Sequence, residues 1–409
     1  MESIEDVVIV GAGLAGLGTA LGLHRKGIKS LVLESADSLR ATGFSLLVWT
    51  NGWRALDMLG IGDSIRPHQV RLQKGVAVSA ASGEITSQTT YTSPSKFGEH
   101  EARCVTRNLL VKTLEEELPQ GTIRYSSKLV SIEEEGDLKI LLLADGSILK
   151  TKVLVGCDGV NSVIARWLGF KKPSFSGRSA CRGLTTFPNG HGFKPEFLQY
   201  FGCGLRCGFL PCNEKSIYWF FTWTPAAEDE DMGENASKMK QFAVTKLRMA
   251  KIPEDVIEVV ENTEMGTIVS SPLRFRSPAD LLWGNISKGN VCVAGDALHT
   301  MTPDLGQGGC LALEDSVVLA RCLGDAILGA RGKGGGEYAA AAAASVEDGL
   351  EEYAKGRRWR SFGVIATAYV MGTIQQSDGA VMNYLRDNLL SAAMGNMYLK
   401  KADFDCGEL

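Results

Sequence analysis

The sequence predicts an α/β fold, made of a discontinuous Rossmann-like domain, an inserted antiparallel-sheet domain and C-terminal helices. A strand, a glycine-rich turn, a helix and a second strand follow one another over residues 6–34. Continuous apolar strands return at residues 152–157 and 290–294, as expected of parallel strands that are covered on both faces. Residues 175–281, between those strands, concentrate the aromatic side chains. We therefore expect a second sheet inserted into the first domain.

The N-terminal unit has the spacing Gly11-x-Gly13-x-x-Gly16. The first glycine permits a tight turn, the second lets a pyrophosphate approach the backbone, and the third lets the helix pack closely on the strand. Unpaired N–H groups at the start of the helix would face the phosphates, and Leu14 and Ala15 are therefore candidate contacts to the cofactor. This order of elements predicts a dinucleotide site.

An acidic residue, Glu34, ends the second strand of this unit and is followed by Ser35. Its carboxylate can accept hydrogen bonds from both hydroxyls of an adenosine ribose and would repel a 2′-phosphate. FAD or NAD is therefore favoured over NADP at this site. The N-terminal unit by itself does not separate FAD from NAD.

Composition limits the other classes of function. The chain has 409 residues, 44% of them hydrophobic, and a formal net charge of −4, so neither nucleic acid nor an anionic membrane is indicated as a partner. Ten cysteines show no paired framework, and no leader segment is recognised, which predicts a reducing, cytoplasmic location. Cys203, Cys207 and Cys212 lack the spacing of a metal site. The apolar run at residues 362–374 falls short of the roughly 20 residues that span a bilayer.

Residues between the strands complete the predicted organisation. Alternating polar residues at 70–91 predict antiparallel strands, and residues 103–118 have helical periodicity. The stretch 332–349, with three consecutive glycines and six consecutive alanines, is interpreted as a flexible insertion between two helices. The predicted limits are 1–72, 102–175 and 282–345 for the nucleotide domain, 73–101 and 176–281 for the substrate domain, and 346–409 for the C-terminal helices.

Two further motifs decide between FAD and NAD. The segment 155–162 contains Asp158-Gly159, and the segment 295–309 begins with Gly295-Asp296 and continues into a glycine-rich turn. Together with the N-terminal triplet, these segments resemble, in order and spacing, the class A FAD-dependent monooxygenases, which include salicylate hydroxylase-like enzymes and zeaxanthin epoxidase. The resemblance covers nearly the whole chain, and the amino-acid sequence is most similar to that of plant members of the family.

The resemblance implies FAD as the cofactor and assigns its contacts. Asp158 would lie near the pyrophosphate, Asp296 would bind a ribityl hydroxyl, and the glycine-rich turn would place a helix N-terminus beside the flavin. The residues of that turn are Pro303, Gly306, Gln307, Gly308 and Gly309. Arg107 matches the arginine that the family places near the FAD pyrophosphate, and Val130 matches a position whose backbone contacts adenine. Arg40, just beyond Glu34, is expected to reach either the same nucleotide or the flavin edge. Ala165 stands where many members have arginine, which makes nicotinamide docking at the Asp-Gly segment a weaker expectation than FAD binding.

The resemblance also implies the reaction. NADPH or NADH would reduce FAD as a transient co-substrate, and O₂ would form a flavin C4a-hydroperoxide that hydroxylates or epoxidises a small apolar or aromatic substrate. Aromatic residues of the second sheet would keep the site dry, and the candidates are Phe187, Tyr200, Phe209, Tyr218 and Phe221. For each of these residues, an ordinary place in the core of the sheet is an equally good interpretation.

Arg182 and Tyr218 are the candidate contacts to a polar group of the substrate, and His299 is expected to make a structural hydrogen bond. Two alternatives stay open: a flavoenzyme oxidase, reductase or cyclase that inserts no oxygen, and a regulator that binds FAD without turnover. The chain is expected to be a monomer or a homodimer, and no bound metal is expected.

Overall fold

The computed structural model describes residues 4–39, 45–226, 235–331 and 338–409. The first half of the described chain contains β1 Ile4–Val10, α1 Leu14–Arg25, β2 Leu31–Leu33, β3 Ser45–Trp49, α2 Thr50–Met58, α3 Gly62–Ile65, β4 Lys74–Ser79, β5 Ile85–Thr90, β6 Pro94–Ser95, β7 Gly98–Glu99, β8 Ala102–Thr106, α4 Arg107–Glu116, β9 Ile123–Arg124, β10 Leu129–Glu135, β11 Leu138–Leu143, β12 Ile148–Gly156 and α5 Val163–Trp167.

The second half contains β13 Ser174–Thr186, β14 Glu196–Gly202, β15 Leu205–Pro211, β16 Ser216–Trp223, α6 Ala236–Met249, α7 Glu254–Glu261, β17 Val269–Phe275, α8 Pro278–Trp283, β18 Ser287–Lys288, β19 Val291–Val293, α9 Asp296–His299, α10 Gly308–Arg331, α11 Tyr338–Gln376, α12 Ala380–Leu385 and α13 Ser391–Ala402. A π-helical turn, Arg386–Leu390, joins α12 to α13.

The first sheet is the nucleotide-binding layer. Strands β9, β2, β1, β12 and β19 run parallel in that order. The sheet is extended by β11, which pairs antiparallel with the first half of β12, and by β10, which pairs antiparallel with β11. Helix α10 packs against α1, α2 and α11. Val8, Leu154 and Cys292, on three neighbouring strands, are fully buried, as their continuous apolar runs predict. The carboxyl ends of β1, β12 and β19 meet at one edge, which carries all three motifs.

The second sheet has the strand order β17-β13-β16-β15-β14-β4-β5, and only the pairing of β14 with β4 is parallel. Its inner face packs on the nucleotide domain through Phe197, Leu210, Tyr218 and Phe220. Its outer face is covered by α6 and α7. The alternation of a strand therefore divides the aromatic residues between two separate cores.

The division corrects one expectation about the pocket. Tyr200, Phe209 and Phe221 are buried in the outer core, and Phe187 packs against that core. Of the five aromatic residues expected to line the pocket, only Tyr218 lies on the inner face. The sequence showed aromatic density, but the side of the sheet depends on strand register, and register was not predicted.

The C-terminal region corrects a second expectation. Residues 338–349 form the first turns of the long helix α11, whereas the sequence pattern predicts a flexible insertion over residues 332–349. Alanine has the highest intrinsic helix propensity, so the six alanines favour a helix. The glycines at 332 and 334–336 lie outside the described residues. The two sheets and the helices α11–α13 confirm the predicted fold class, whereas the domain limits stay predictions.

Candidate functional site

The glycine-rich turn after β1 is tightly packed on one side and open on the other. Gly11 has φ +107°, and a Cβ there would overlap the carbonyl oxygen of Cys157, while a Cβ on Gly16 would overlap the carbonyl oxygen of Gly11. Around Gly13 no heavy atom lies within 4 Å of a built Cβ. Gly13 is the N-cap of α1 and provides no side-chain cap, so the N–H groups at Leu14 and Ala15 face an open cradle.

The Glu34 carboxylate is fixed beside this turn. Its Oε2 accepts a hydrogen bond from the N–H of Ala12 at 3.0 Å, and its Oε1 accepts from the N–H of Ala36 at 2.9 Å and from the hydroxyl of Ser35 at 3.1 Å. The structure thus brings Glu34 and Ser35 to the same edge as the open cradle. Remaining lone pairs on the carboxylate can accept hydrogen bonds from a ribose.

The Asp-Gly motif follows β12 on the other side of the cradle. Asp158 Oδ2 accepts hydrogen bonds from the N–H groups of Val163 at 2.7 Å and Ile164 at 3.4 Å, at the start of α5. Its Oδ1 is buried and has no hydrogen-bond partner among the described residues. Burial raises the pKa of Asp158, and the hydrogen bonds from Ser162 and Val163 act in the opposite direction. Gly159 follows in the turn at φ +75°.

The Gly-Asp motif forms the turn between β19 and α9. Asp296 is exposed, whereas Ala297 and Leu298 are fully buried. No hydrogen bond or ion pair of the Asp296 side chain is found among the described residues. The carboxylate is therefore free to accept a hydrogen bond from a ligand at this edge of the sheet.

A buried carboxylate, Asp315 on α10, holds the backbone of this turn. Its Oδ2 accepts hydrogen bonds from the N–H of Gly295 at 2.8 Å and from Nε2 of His299 at 2.8 Å. Its Oδ1 accepts from Nε of Arg357, on α11, at 2.6 Å. Burial alone would raise the pKa of Asp315, but the charge of Arg357 and the contact with His299 outweigh it and lower that pKa. His299 thus makes the structural hydrogen bond that the sequence suggested.

The second glycine-rich turn lies next to this cluster. Pro303 starts a 3₁₀ turn, and Gly306 ends it in the left-handed conformation, with φ +61° and ψ +27°. Gly308 begins α10, and Gly309 packs against Leu46 and Leu14. The N–H groups of the first turn of α10 are the positive end of a helix of 24 residues, which favours negative charge on a ligand.

Gln307 connects this turn to a second buried carboxylate. Its Oε1 accepts a hydrogen bond from Asn51 Nδ2 at 2.8 Å, and the same Nδ2 donates to Glu314 Oε1 at 2.6 Å. Glu314 is paired with Arg357 at 2.7 Å and with Arg360 at 2.7 Å. Gln307 Nε2 is buried without a partner among the described residues, so it stays available to a ligand.

An unpredicted ionic cluster joins the turn to the second sheet. Asp304 is fully buried and forms two parallel hydrogen bonds with Arg178 on β13, at 2.9 and 2.6 Å. Arg206 on β15 approaches the same carboxylate at 3.4 Å and lies 4.6 Å over the ring of Phe220. The sequence signal was an arginine in an otherwise apolar strand, but nothing in the sequence paired it with a carboxylate 98 positions away.

Tyr218 and Arg182, the candidate substrate contacts, are on adjacent strands of this face. Tyr218 on β16 pairs with Leu184 on β13, two positions beyond Arg182. Burial raises the pKa of Tyr218 to about 12, and the charge of Arg182 acts in the opposite direction. The Tyr218 hydroxyl is therefore protonated at neutral pH and can donate a hydrogen bond.

The other residues that the sequence predicts near the cofactor lie on different helices and strands. Arg107 begins α4, half-buried, and its side chain has no partner among the described residues. Val130 on β10 is 49% exposed. Arg40 lies outside the described residues. Ala165 is buried in α5, where its N–H donates to the Ser162 hydroxyl at 2.7 Å.

The residues present fit FAD. The open cradle at Gly13, the fixed Glu34 carboxylate, the unpartnered oxygen of Asp158, the free Asp296 carboxylate and the start of α10 lie along one edge of the first sheet. They supply donors where a pyrophosphate needs them and acceptors where ribose and ribityl hydroxyls need them. Over the described ranges no group of three or more possible metal ligands occurs, and no helix is long and apolar enough to cross a membrane.

Comparison with known proteins agrees with this geometry. The family described as FAD binding domain matches residues 5–351. Monooxygenase 2 of Arabidopsis thaliana is 50% identical over 409 residues, which cover 100% of this chain and 99% of that protein. Monooxygenase 1 of the same plant is 37% identical, with 100% of both chains covered.

A bacterial enzyme has lower sequence identity to this chain, and a bacterial crystal structure has a similar fold. The FAD-dependent urate hydroxylase of Klebsiella pneumoniae is 28% identical over 324 residues, covering 76% of this chain and 79% of that protein. The crystal structure of HpxO from the same organism, complexed with FAD and uric acid, superposes with a TM-score of 0.79 at 22% identity, over 100% of this chain and 99% of that one. The chain belongs to the FAD binding domain family and, within it, to the class A FAD-dependent monooxygenases.

Proposed function

We propose that this protein uses NAD(P)H and O₂ to hydroxylate or epoxidise a small apolar or aromatic substrate. The observation that carries the proposal is the buried inner face of the second sheet, next to the second glycine-rich turn at residues 303–309. Phe197, Leu210, Tyr218 and Phe220 are all buried on the inner face of the second sheet. Asp304, in the turn itself, ties that face to the turn through Arg178. Oxygen transfer needs such exclusion of water next to the cofactor.

The FAD contacts follow the site described above. Glu34 would hold the adenosine ribose, the start of α1 the pyrophosphate, and Asp296 the ribityl chain. Arg107, Asp158 and Gly159 would complete the pyrophosphate end, with Val130 and Arg40 as weaker candidates. When bound, FAD supplies electron transfer from the nicotinamide and activation of O₂. We also propose that NAD(P)H is the electron donor in this reaction.

Residues of this chain would orient the substrate. Tyr218 can donate a hydrogen bond to an oxygen or ring nitrogen, and Arg182 carries positive charge on the adjacent strand. The crystallised HpxO holds uric acid, a small planar ring. We extend a small ring substrate to this chain because the inner face offers the flat aromatic surface of Phe197, Tyr218 and Phe220. A cytoplasmic location stays a prediction from the sequence.

The test is oxygen incorporation by the purified protein with bound FAD. Salicylate, 4-hydroxybenzoate, indole and small terpenoids would be screened for stimulated oxidation of NADPH and NADH. With a stimulating compound and ¹⁸O₂, one labelled oxygen atom should appear in the product. Stimulated oxidation that yields only hydrogen peroxide, with no labelled product, would assign the protein to the oxidases or reductases on the same scaffold instead.

A further inference from the structure

Two thiols meet between the β3–β8 ribbon and the second sheet. Cys104 lies on β8, and Cys212 directly follows β15. Their Sγ atoms are 3.2 Å apart, although the two residues are separated by 108 positions in the sequence. Both side chains are fully buried, and both thiols are free. The S–S bond of a disulfide is about 2.05 Å long, so a movement of about 1 Å is enough to join the two atoms.

The surroundings of Cys212 favour its thiolate. Cys212 Sγ lies 3.2 Å from Ser45 Oγ and accepts a hydrogen bond from the N–H of Tyr218. Burial raises the pKa of Cys212, but the contacts with Cys104, Ser45 and Tyr218 outweigh burial and lower that pKa. At Cys104 burial dominates and raises the pKa well above its ordinary value. Because the thiolate is the nucleophilic form of cysteine, Cys212 is the attacking residue of the pair and Cys104 keeps its proton.

The pair is connected to the candidate flavin site through one strand. Cys104 pairs with Leu47 on β3, and Leu47 packs against Gly306 in the second glycine-rich turn. On the other side, the Tyr218 that donates its N–H to Cys212 is the candidate contact to the substrate. A change at the two sulfur atoms therefore has a short path to the turn beside the flavin.

We propose that Cys104 and Cys212 are a peroxide-sensitive pair that closes to a disulfide and weakens FAD binding. The oxidant is hydrogen peroxide, a neutral molecule little larger than water. Its source rests on the proposed function, because a flavin enzyme releases peroxide when the oxidation of NAD(P)H is not coupled to oxygen transfer. The oxidation of the thiols by added peroxide does not depend on that source.

The reaction takes two steps. The Cys212 thiolate attacks one oxygen of hydrogen peroxide, so that an S–O bond forms, the O–O bond breaks and the departing hydroxide takes up a proton as water. The Cys104 sulfur then attacks the sulfenic acid on Cys212, so that the S–S bond forms and the S–O bond breaks. The second hydroxide leaves with the proton of Cys104 as water. Two thiols lose two electrons, and one peroxide is reduced to two waters.

The disulfide acts on the cofactor through β3. Closing the gap draws Cys104 towards the second sheet, and β3 is paired with β8 along its whole length. The shift therefore reaches Leu47 and the turn at Gly306. We expect the Kd for FAD to rise about fivefold, which is the lower end of typical couplings between two sites. A thiol reductant should restore the original Kd, because thiol–disulfide exchange reverses the bond.

Mass spectrometry of the FAD-loaded protein tests the bond. N-ethylmaleimide first blocks the exposed Cys203 in the native protein, and hydrogen peroxide is then added. The oxidised protein should have a mass about 2 Da lower, and digestion without reductant should yield one peptide pair that joins Cys104 to Cys212. In Cys104→Ala, unfolding in the presence of dimedone should label a sulfenic acid on Cys212. The Kd for FAD is measured from the fluorescence of FAD released on dilution.

Cys207→Ala is the matched control, because Cys207 is equally buried and lies on β15. It should form the disulfide and lose FAD affinity as the wild type does, whereas Cys104→Ala and Cys212→Ala should do neither. The absence of the joined peptides in the wild type would overturn the proposal, as would a disulfide that leaves the Kd unchanged. An equal rise of the Kd in Cys212→Ala would overturn it too. A protein that fails to oxygenate any substrate leaves these readouts intact, since the peroxide is added.

Discussion

Replacing Asp315 by asparagine should destabilise the fold and weaken FAD binding together. The change keeps the shape of the side chain but removes the charge that faces Arg357. Whichever way the amide turns, its NH₂ group meets a donor, either Arg357 or the pair Gly295 and His299. Breaking a buried ion pair costs about 3–5 kcal/mol. Because Arg357 keeps its contact with Glu314, we expect the lower end, about 3 kcal/mol. With an unfolding entropy of about 0.9 kcal/mol/K for a chain of this length, Tm should fall by about 3–4 °C.

The assay is thermal unfolding of the FAD-free protein together with FAD titration by fluorescence. The control is Glu351→Gln, which removes an exposed ion pair with Lys355 on the solvent side of α11. That variant should match the wild type in both measurements, because exposed pairs contribute little. An Asp315→Asn protein that unfolds at the same temperature as the control would refute the role given to the buried cluster.

Low pH should remove the difference in Tm between the Asp315→Asn variant and the wild type. The pKa of Asp315 in the folded protein lies below its ordinary value of about 3.9. A carboxylate with a lowered pKa stabilises the fold above the unfolded-state pKa, and this contribution is lost as pH falls through the folded-state pKa. The gap in Tm should therefore be constant from about pH 6 to 8 and should shrink below about pH 4.

Three further substitutions separate packing from ligand contact. Gly16→Ala should lower the Tm of the FAD-free protein, because the new methyl group overlaps the carbonyl oxygen of Gly11. Gly13→Ala should leave the Tm of the FAD-free protein unchanged and weaken only FAD binding. Equal Tm values for the two variants would contradict this assignment. Asp296→Ala should lose FAD or flavin reduction without a change in FAD-free Tm, since Asp296 is exposed and has no partner among the described residues; full turnover would show that the ribityl assignment is wrong.

Local signals predicted most of the nucleotide layer. The run from β1 through the glycine triplet to Glu34 follows from residues that are close in sequence, and so do the strands β12 and β19. The limits were less accurate: residues 103–106, expected to be helical, belong to β8, and α4 begins at Arg107. β8 pairs with β3, so tertiary pairing decided its conformation.

The charged clusters could not be predicted in the same way. Asp304 and Arg178 are 126 positions apart, and Asp315 and Arg357 are 42 apart. Each side chain on its own predicts a solvent-exposed charge, because charged residues are rarely fully buried without a partner. Only the packing of α10 against α11, and of the second sheet on the turn, brings the partners together. The substrate contacts depend on the same long-range packing, so Arg182 and Tyr218 stay predictions.

The turns at Gly295 and Gly306 themselves explain why charged side chains are buried next to them. Gly295 and Gly306 have no side chains, and a neighbour can fix such a turn only through its backbone N–H and carbonyl groups. Apolar residues could fill the same volume at equal or lower free energy, since a buried ion pair is seldom a net gain in stability. They would leave the N–H of Gly295 without an acceptor, however, at a cost of about 1–3 kcal/mol. Asp315 supplies that acceptor, Arg357 compensates its charge, and the orientation of Asp296 in the next position depends on both.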